Sequence, residues 1–457
     1  MFVAFINNIM SSLKQRAISG TIWTVVGYGT SQFLRLVNNL ILTRLLVPEY
    51  FGLIGLVNVF IIGLSLFSDV GLGPSIVQNK RGDDPDFFNT AWTIQIIRGF
   101  GLWLCCLIIT WPVANFYEDQ KLLWLVPIVG FSTVISGFNS TSLLTLNRHL
   151  DIGKKTRFEL ATQLPSLIVM IIWALISPSV WSIVGGMLVG NLTKMIWSHR
   201  LVREVRNQFK WEREAAKEIF SFGKWIFVST AMTFLASQAD RMILGKLFTF
   251  EMLGIYTVAL TFAEIPKQIA MRVNSQVLYP VISHYVNLER PLLRAKILQK
   301  RKLLLMGLAV FVTFFTCFGD LMIKFLYDSR YNQAQWMMSV LALGIWPLIL
   351  EATHGKSIFA IGKPLYYAFG SFLKFIYMVI LIPLAYQKMG VLGAIVVVAF
   401  NDIPLYLGVN YGLIREGLSA IVQDIQATLL LILLIAIVLT CRYTLGYGLP
   451  IDGILQL

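Results

Sequence analysis

The stretch WTVVGYGTSQFLRLVNNLILTRLLVPEYFGL, residues 23–53, returns 202 residues further on as WIFVSTAMTFLASQADRMILGKLFTFEMLGI, residues 225–255. Without a gap, Trp23 falls on Trp225, Ile41 and Leu42 on Ile243 and Leu244, Arg44 on Lys246, Leu45 on Leu247, Glu49 on Glu251 and Gly52 on Gly254. A tryptophan, a cation, a glutamate and a glycine bounding one apolar run in a single register indicate an internal duplication. The copies differ in polar residues: Arg35, Asn38 and Asn39 in the first stand where the second has Ser237, Asp240 and Arg241.

Working outward, the chain is too apolar for a soluble protein of its size, with 56% hydrophobic and 14% charged residues in 457. The apolar residues come in runs of about 20, the length that crosses a bilayer at 1.5 Å per residue. They fall near 20–43, 51–76, 89–112, 122–146, 158–177, 180–198, 222–245, 252–276, 303–325, 334–358, 364–386, 390–412 and 424–445, thirteen segments in all. Residues 17–46 are too long for the apolar part of a cleaved signal. Cys105, Cys106, Cys317 and Cys441 lie in or at the end of apolar runs, which argues against a disulfide framework or a thiolate metal site. There is no Walker motif, metal-ligand cluster or Ser/His/Asp set, and His149, His199, His284 and His354 are scattered. No stretch between apolar segments exceeds roughly 25 residues, which disfavours an enzyme of envelope glycan assembly with an external catalytic domain.

The net charge of +14 is concentrated in the loops after even-numbered segments, at Lys80 and Arg81, at Lys154, Lys155 and Arg157, between Arg200 and Lys217, and between Arg290 and Lys302. The positive-inside rule then places the N-terminus in the cytoplasm and makes anionic lipid, not nucleic acid, the partner of that charge. A thirteenth helix leaves the C-terminus outside, unless Gly448, Pro450 and Ile451 open a shortened fourteenth. Residues 200–220 and 284–302 read as amphipathic helices in the headgroup layer, the second starting at Pro291. Six helices separate the two repeat copies, so both copies start on the same side and the duplication is parallel. The expected fold is an all-α polytopic membrane protein. It has two six-helix lobes in a parallel pseudo-two-fold repeat, 1–217 (helices 1–6) and 218–423 (helices 7–12), plus one or two C-terminal helices in 424–457. Two lobes that rock about a shared space suit transport.

Three further stretches carry a family resemblance: NLILTRLLVPEYFG at 39–52, FSDVGLG at 67–73 with IVQ at 76–78, and NTAW at 89–92. They resemble the polysaccharide-transport branch of the multidrug/oligosaccharidyl-lipid/polysaccharide exporter superfamily, densest over the first 100 residues and weaker at 352–362 and 390–394. The resemblance implies a non-enzymatic flippase of the bacterial plasma (inner) membrane. Such a protein moves undecaprenyl-pyrophosphate-linked oligosaccharide by alternating access, for O-antigen, capsule or exopolysaccharide assembly. Its implied partners are that lipid-linked substrate, membrane lipids and other polysaccharide-assembly proteins. No cofactor is implied beyond H+ or Na+ coupling, which stays open. The alternative within the superfamily is a cation-coupled drug antiporter, which requires an acidic cavity.

Ionisable residues inside spans are costly and face a polar cavity or a partner. Counting 1.5 Å per residue from the segment starts puts Arg35, Arg98, Lys267, Lys374, Glu264 and Asp402 well inside the membrane. Arg35 and Arg98 have no acidic neighbour one turn away; Asn38 and Asn39 accompany the first, and Gln95 the second. Guanidinium forks match phosphate oxygens, so these five residues are the expected substrate-binding set, with Lys267 and Lys374 completing a cationic chamber. The competing reading has both arginines satisfied by carbonyls at helix breaks near Gly27/Gly29 or Gly99/Gly101. Asp69, Glu264 and Asp402 are the coupling or gating carboxylates. Structural pairs Glu264–Lys267 and Lys374–Asp402 are the plainer alternative, and Arg241, placed near the outer end, is expected to snorkel to water. The tryptophans within spans are read first as packing and interfacial residues.

Overall fold

The computed structural model describes residues 26–27, 29–68, 72, 76, 79, 81, 84–148, 151–202, 206–274, 282, 285 and 288–454. Among them there is no strand, as the apolar runs demand: in hydrocarbon each unpartnered backbone group is costly, and a helix satisfies its own. The helices are α1 (29–45), α2 (Pro48–Phe67), α3 (Pro85–Tyr117), α4 (Leu122–Gly137), α5 (Ser142–Arg148), α6 (Ile152–Ile176), α7 (Val180–Ser198), α8 (Arg213–Leu247) and α9 (Phe250–Ala263). They continue as α10 (Ile265–Val273), α11 (Arg290–Leu326), α12 (Asn332–Gly344), α13 (Trp346–Ala352), α14 (Lys356–Ala360), α15 (Leu365–Ala399), α16 (Ile403–Arg415) and α17 (Ile421–Thr444). Among the described residues seven stretches are individually long and apolar enough to cross a membrane, and the chain is a multi-pass membrane protein. One of the seven, Leu365–Arg415, holds 51 residues and doubles back at Gly390, whose φ of 58° and ψ of −143° no ordinary helical residue adopts. Across that hairpin a Cβ on Gly408 would lie 2.6 Å from the Gly370 Cα, so only glycines allow the two arms to touch.

The duplication is visible in the backbone. α1 ends at residue 45 and α2 begins at Pro48; α8 ends at Leu247 and α9 begins at Phe250, the same positions 202 residues on. The closing hydrogen bond recurs as well, Leu46 N–H to the Leu42 carbonyl at 2.8 Å and Phe248 N–H to the Leu244 carbonyl at 2.7 Å. By contacts the chain forms two compact units, the first running to Tyr50 and over Val57–Ala231, the second comprising Phe51–Leu56 and Met232 onward. The division falls within α8, because Ala215, Ala216 and Ile219 of its first turns are buried with Phe87, Ala91 and Ile94 of α3. Within the second unit the repeat glycine Gly52 abuts α9, where a Cβ would meet the Phe250 carbonyl oxygen at 2.0 Å.

Residues 200–220 depart from the expected amphipathic helix. Residues 206–212 are not helical, and α8 starts only at Arg213. Alternate N–H groups of this extended strap donate to side chains of α3: Gln208 to Asn89 Oδ1 at 2.9 Å, Lys210 to Thr93 Oγ1 at 3.1 Å and Glu212 to Thr90 Oγ1 at 3.0 Å. A polar face at the start of α3 thus supplies the acceptors that the strap lacks, and Phe209 packs against Trp92 in a tilted arrangement with ring centroids 5.0 Å apart. Arg81 closes the strap, donating to Asp84 at 2.7 Å and to Glu212 at 2.8 Å. The second expected amphipathic segment starts at Arg290 with Pro291 in its first turn, but it continues without interruption into the span as α11, 37 residues long.

α17, the thirteenth segment, is fastened to α11 by two ion pairs. Arg301, fully buried, meets Asp424 at 2.5 Å, and Arg442 Nη1 meets Asp320 Oδ1 at 2.6 Å. The pairs join like ends of the two helices, which therefore run parallel, and they stand about 27 Å apart along the axis, close to the thickness of the hydrocarbon core. Beyond α17 the described residues form turns and a short 3-10 turn, Asp452–Ile454, against α12, with no fourteenth span.

Two outcomes follow for the strap and the glycines. The hydrogen bond from Arg81, together with the Asp86 N–H, holds the Asp84 carboxyl below its ordinary range. A depressed folded pKa gives stability that is present above the unfolded value, about 3.9, and is lost as pH falls through the folded one. Hydrogen exchange at the Gln208, Lys210 and Glu212 amides, corrected for intrinsic rate, should accelerate over that acid window in the native protein. In Arg81→Gln it should already be fast at neutral pH. Gly52→Val should destabilise the folded protein by about 1–3 kcal/mol through overpacking, read as a lower thermal midpoint.

Candidate functional site

Three helices of the second unit are broken at mid-span, each two residues before a proline. Glu264-Ile265-Pro266 separates α9 from α10, Ile345-Trp346-Pro347 separates α12 from α13, and Asp402-Ile403-Pro404 separates α15 from α16. Proline lacks the N–H for its helical bond, and its ring collides with the carbonyl four residues back. Backbone freed at membrane depth is tolerated only where it faces protein or a polar cavity. All three breaks border one cavity of about 300 Å³. Around it stand Asp240 and Arg241 from α8, Glu264 and Lys267 from the first break, Lys374 from α15 and Asp402 from the third break.

Glu264 and Asp402 occupy the N-cap positions of α10 and α16, where the partial positive charge of a helix start favours a carboxylate. Each is paired: Lys267 lies 2.6 Å from Glu264 and Lys374 lies 2.6 Å from Asp402, the latter pair almost wholly buried. Asp240 accepts a hydrogen bond from the buried Tyr256 hydroxyl at 2.5 Å. Three acids thus face three bases. Lys267 and Lys374, expected to make the chamber cationic, are each neutralised by a carboxylate, so the chamber is charge-balanced. Arg241, expected to snorkel, lines the cavity instead, with Asp240 beside it. Their signal lay in the repeat, where they replace Asn38 and Asn39. A depth count is blind to side-chain direction.

The first unit uses its polar residues differently. Arg98 Nε donates to Ser68 Oγ at 2.9 Å and Nη2 to the Ser65 carbonyl at 2.6 Å, at the end of α2. Gln95 Nε2, one turn earlier, donates to the carbonyls of Gly137 at 2.9 Å and Asn139 at 3.0 Å, at the end of α4. Adjacent turns of α3 therefore satisfy the orphan carbonyls of two helix ends, and the cation also suits the negative pole of α2. This is the carbonyl-satisfied role for Arg98, though at a different helix end from those anticipated. A pocket of about 300 Å³ lies beside these residues and is lined by Ser65, Ser132, Thr133 and Ser136 as well. Arg35 is exposed on α1, and no ion pair to it is found among the described residues. Asn38 Nδ2 approaches the Met170 sulfur at 3.8 Å, while its Oδ1 is buried without a partner. Asn39 lies half-buried on the same helix. Asp69 lies outside the described residues. Trp103 donates to the Pro127 carbonyl at 3.0 Å and Trp336 to Gln333 at 2.7 Å, both packing roles.

The two lysine pairs should respond unequally to substitution. Lys374→Met strands a buried carboxylate and should cost about 3–5 kcal/mol, most of it recovered in the Lys374→Met, Asp402→Leu double variant. Lys267→Met breaks a more open pair three residues apart on one helix and should cost less than Lys374→Met. Thermal unfolding of the purified protein measures both.

Comparison with known proteins places this arrangement. The family described as polysaccharide biosynthesis protein matches residues 41–335. The teichuronic acid biosynthesis protein TuaB of Bacillus subtilis is 21% identical over 355 residues, covering 78% of this chain and 73% of that protein. The succinoglycan biosynthesis transport protein ExoT of Rhizobium meliloti is 21% identical, covering 58% of this chain and 53% of its own. The lipopolysaccharide biosynthesis protein WzxC of Escherichia coli is 20% identical, covering 60% of this chain and 55% of its own. The chain thus aligns with little more than half the length of the last two. Among solved structures, an inward-facing multidrug resistance MATE transporter of the MOP superfamily superposes with a TM-score of 0.65 at 13% identity, over 84% of this chain and 93% of that one. The lipid II flippase MurJ, in an inward closed conformation, superposes with a TM-score of 0.64 at 14% identity, over 93% and 99%. Those likenesses establish the fold and agree with the resemblance carried by 39–52, 67–78 and 89–92. With more than half of its length matched, the chain belongs to the polysaccharide biosynthesis protein family and has the fold of the MOP-superfamily transporters.

Proposed function

We propose that this protein is a flippase that carries undecaprenyl-pyrophosphate-linked oligosaccharide across the bacterial plasma membrane by alternating access, its N-terminus in the cytoplasm. The observation that carries the reading is a cavity with six ionisable side chains inside the spans of a chain from a polysaccharide biosynthesis family. A purely structural membrane core has no use for such a cavity. The relatives' names support it: one is a succinoglycan biosynthesis transport protein, and a protein of the same fold is a lipid II flippase. A cation-coupled drug antiporter would want a net acidic chamber, and the chamber here is balanced.

Within this reading Arg35 binds the pyrophosphate, since its guanidinium is exposed on α1 and matches phosphate oxygens in fork geometry. Asn38, Asn39 and the hydroxyl-lined pocket of Arg98 and Gln95 add neutral donors. H+ or Na+ coupling falls to Glu264 and Asp402, whose neutralisation releases Lys267 and Lys374, with Asp69 as a gating residue. The test is deletion in the native host. Lipid-linked repeat units should accumulate on the cytoplasmic side, and the wild-type gene should restore export. Arg35→Gln, at normal membrane abundance, should restore at least tenfold less. Full export by Arg35→Gln removes the assigned role of Arg35. An unchanged distribution of repeat units in the deletion strain, with lost resistance to cationic dyes, replaces the flippase by the antiporter.

A further inference from the structure

In the cavity of the second unit, two of three cations are already matched, Lys267 to Glu264 and Lys374 to Asp402. What is left is the neighbouring pair on α8. Asp240 is hydrogen-bonded by the Tyr256 hydroxyl, a neutral donor that leaves the negative charge in place. Arg241 Nη1 donates to Gln238 Oε1 at 3.2 Å, a neutral acceptor that leaves the positive charge in place. Among the described residues no ion pair to Arg241 is found. The cavity therefore presents one acceptor and one donor fork that make no ion pair among the described residues, with Ser237, Gln238 and Asn401 at its wall.

This balance selects by ligand charge. An anion gains from Arg241 what it loses to Asp240, and a cation does the reverse. A ring of hydroxyls gains from both, since each hydroxyl donates one hydrogen bond and accepts others. The volume of about 300 Å³ is at the small end of ligand pockets and gives room for about one or two sugar rings. We infer that the second-unit cavity is a binding site for an uncharged saccharide unit, whose hydroxyls donate to Asp240 and accept from Arg241. The inference extends the flippase reading and is separable from it, because binding can be measured without transport.

The test is calorimetric titration of the full chain in lipid nanodiscs, free of maltoside detergent. The probes are three neutral disaccharides (cellobiose, lactose and N,N′-diacetylchitobiose), cellobiouronic acid and inorganic pyrophosphate. At least one neutral disaccharide should bind, with an affinity that changes less than about twofold when salt is raised tenfold, because no net charge is screened. Arg241→Gln should weaken that binding at least tenfold and Arg241→Lys should restore part of it. Gln238→Ala, which leaves every charge in place, should weaken it severalfold. The thermal midpoint of each variant without sugar confirms that it is folded. The inference is overturned by absence of binding of all three neutral probes, by tenfold preference for the uronic acid, or by wild-type binding in folded Arg241→Gln and Gln238→Ala. Any of these with export still dependent on Arg35 leaves the flippase reading standing; sugar binding without export in the host removes that reading alone.

Discussion

Pro266, Pro347 and Pro404 each follow a break residue by two positions and stand in the first turn of the helix that restarts there, each removing the N–H of one helical hydrogen bond. The rest of the second unit depends on that constraint. A broken span exposes backbone groups that lipid cannot satisfy, so the breaks must face one another around a polar space. In that space Glu264 and Asp402 stand at the new helix starts, and Lys267 and Lys374 reach them. The three breaks and the charges meet at one cavity.

The first unit solves the same orphan-carbonyl problem without a polar chamber of this kind. There Gln95 and Arg98, one turn apart on α3, cap the ends of α4 and α2 directly. The family-like segment 89–92 serves a similar purpose toward the strap, with Asn89 and Thr90 accepting its backbone N–H groups and Trp92 packing on Phe209. Residues that looked like signature motifs are thus, in part, hydrogen-bond acceptors for a segment that cannot satisfy itself. The two buried ion pairs between α11 and α17 are the costlier version of this logic, since burying two charges repays only when both are well held. Their spacing at opposite ends of the core fixes α17 in register against α11.

Much of this was legible in residue order. The offset of 202 residues relates the helix breaks at 45–48 and 247–250 to each other, and the apolar runs, ending at 43 and 245 and resuming at 51 and 252, lie within two or three residues of them, because the sequence that ends a span is local. The lysine–carboxylate pairs were also readable, since Glu264 and Lys267 are one turn apart and Lys374 and Asp402 lie at similar depth. The strap was misread as a helix because its side chains alternate in a way that suits either form. Its acceptors belong to α3, more than a hundred residues earlier in the chain.

The sequence by itself determined the helical, membrane-spanning class, the parallel duplication and the presence of ionisable residues at depth. These follow from run length, register and transfer cost, all of which act along the chain. Only the tertiary structure decided which of those residues share a cavity. Arg241 faces inward beside Asp240 rather than outward to water, and Arg98 is held by a helix end. Such outcomes depend on where distant breaks and helix ends converge, and that convergence is a property of packing, which no spacing within one segment records.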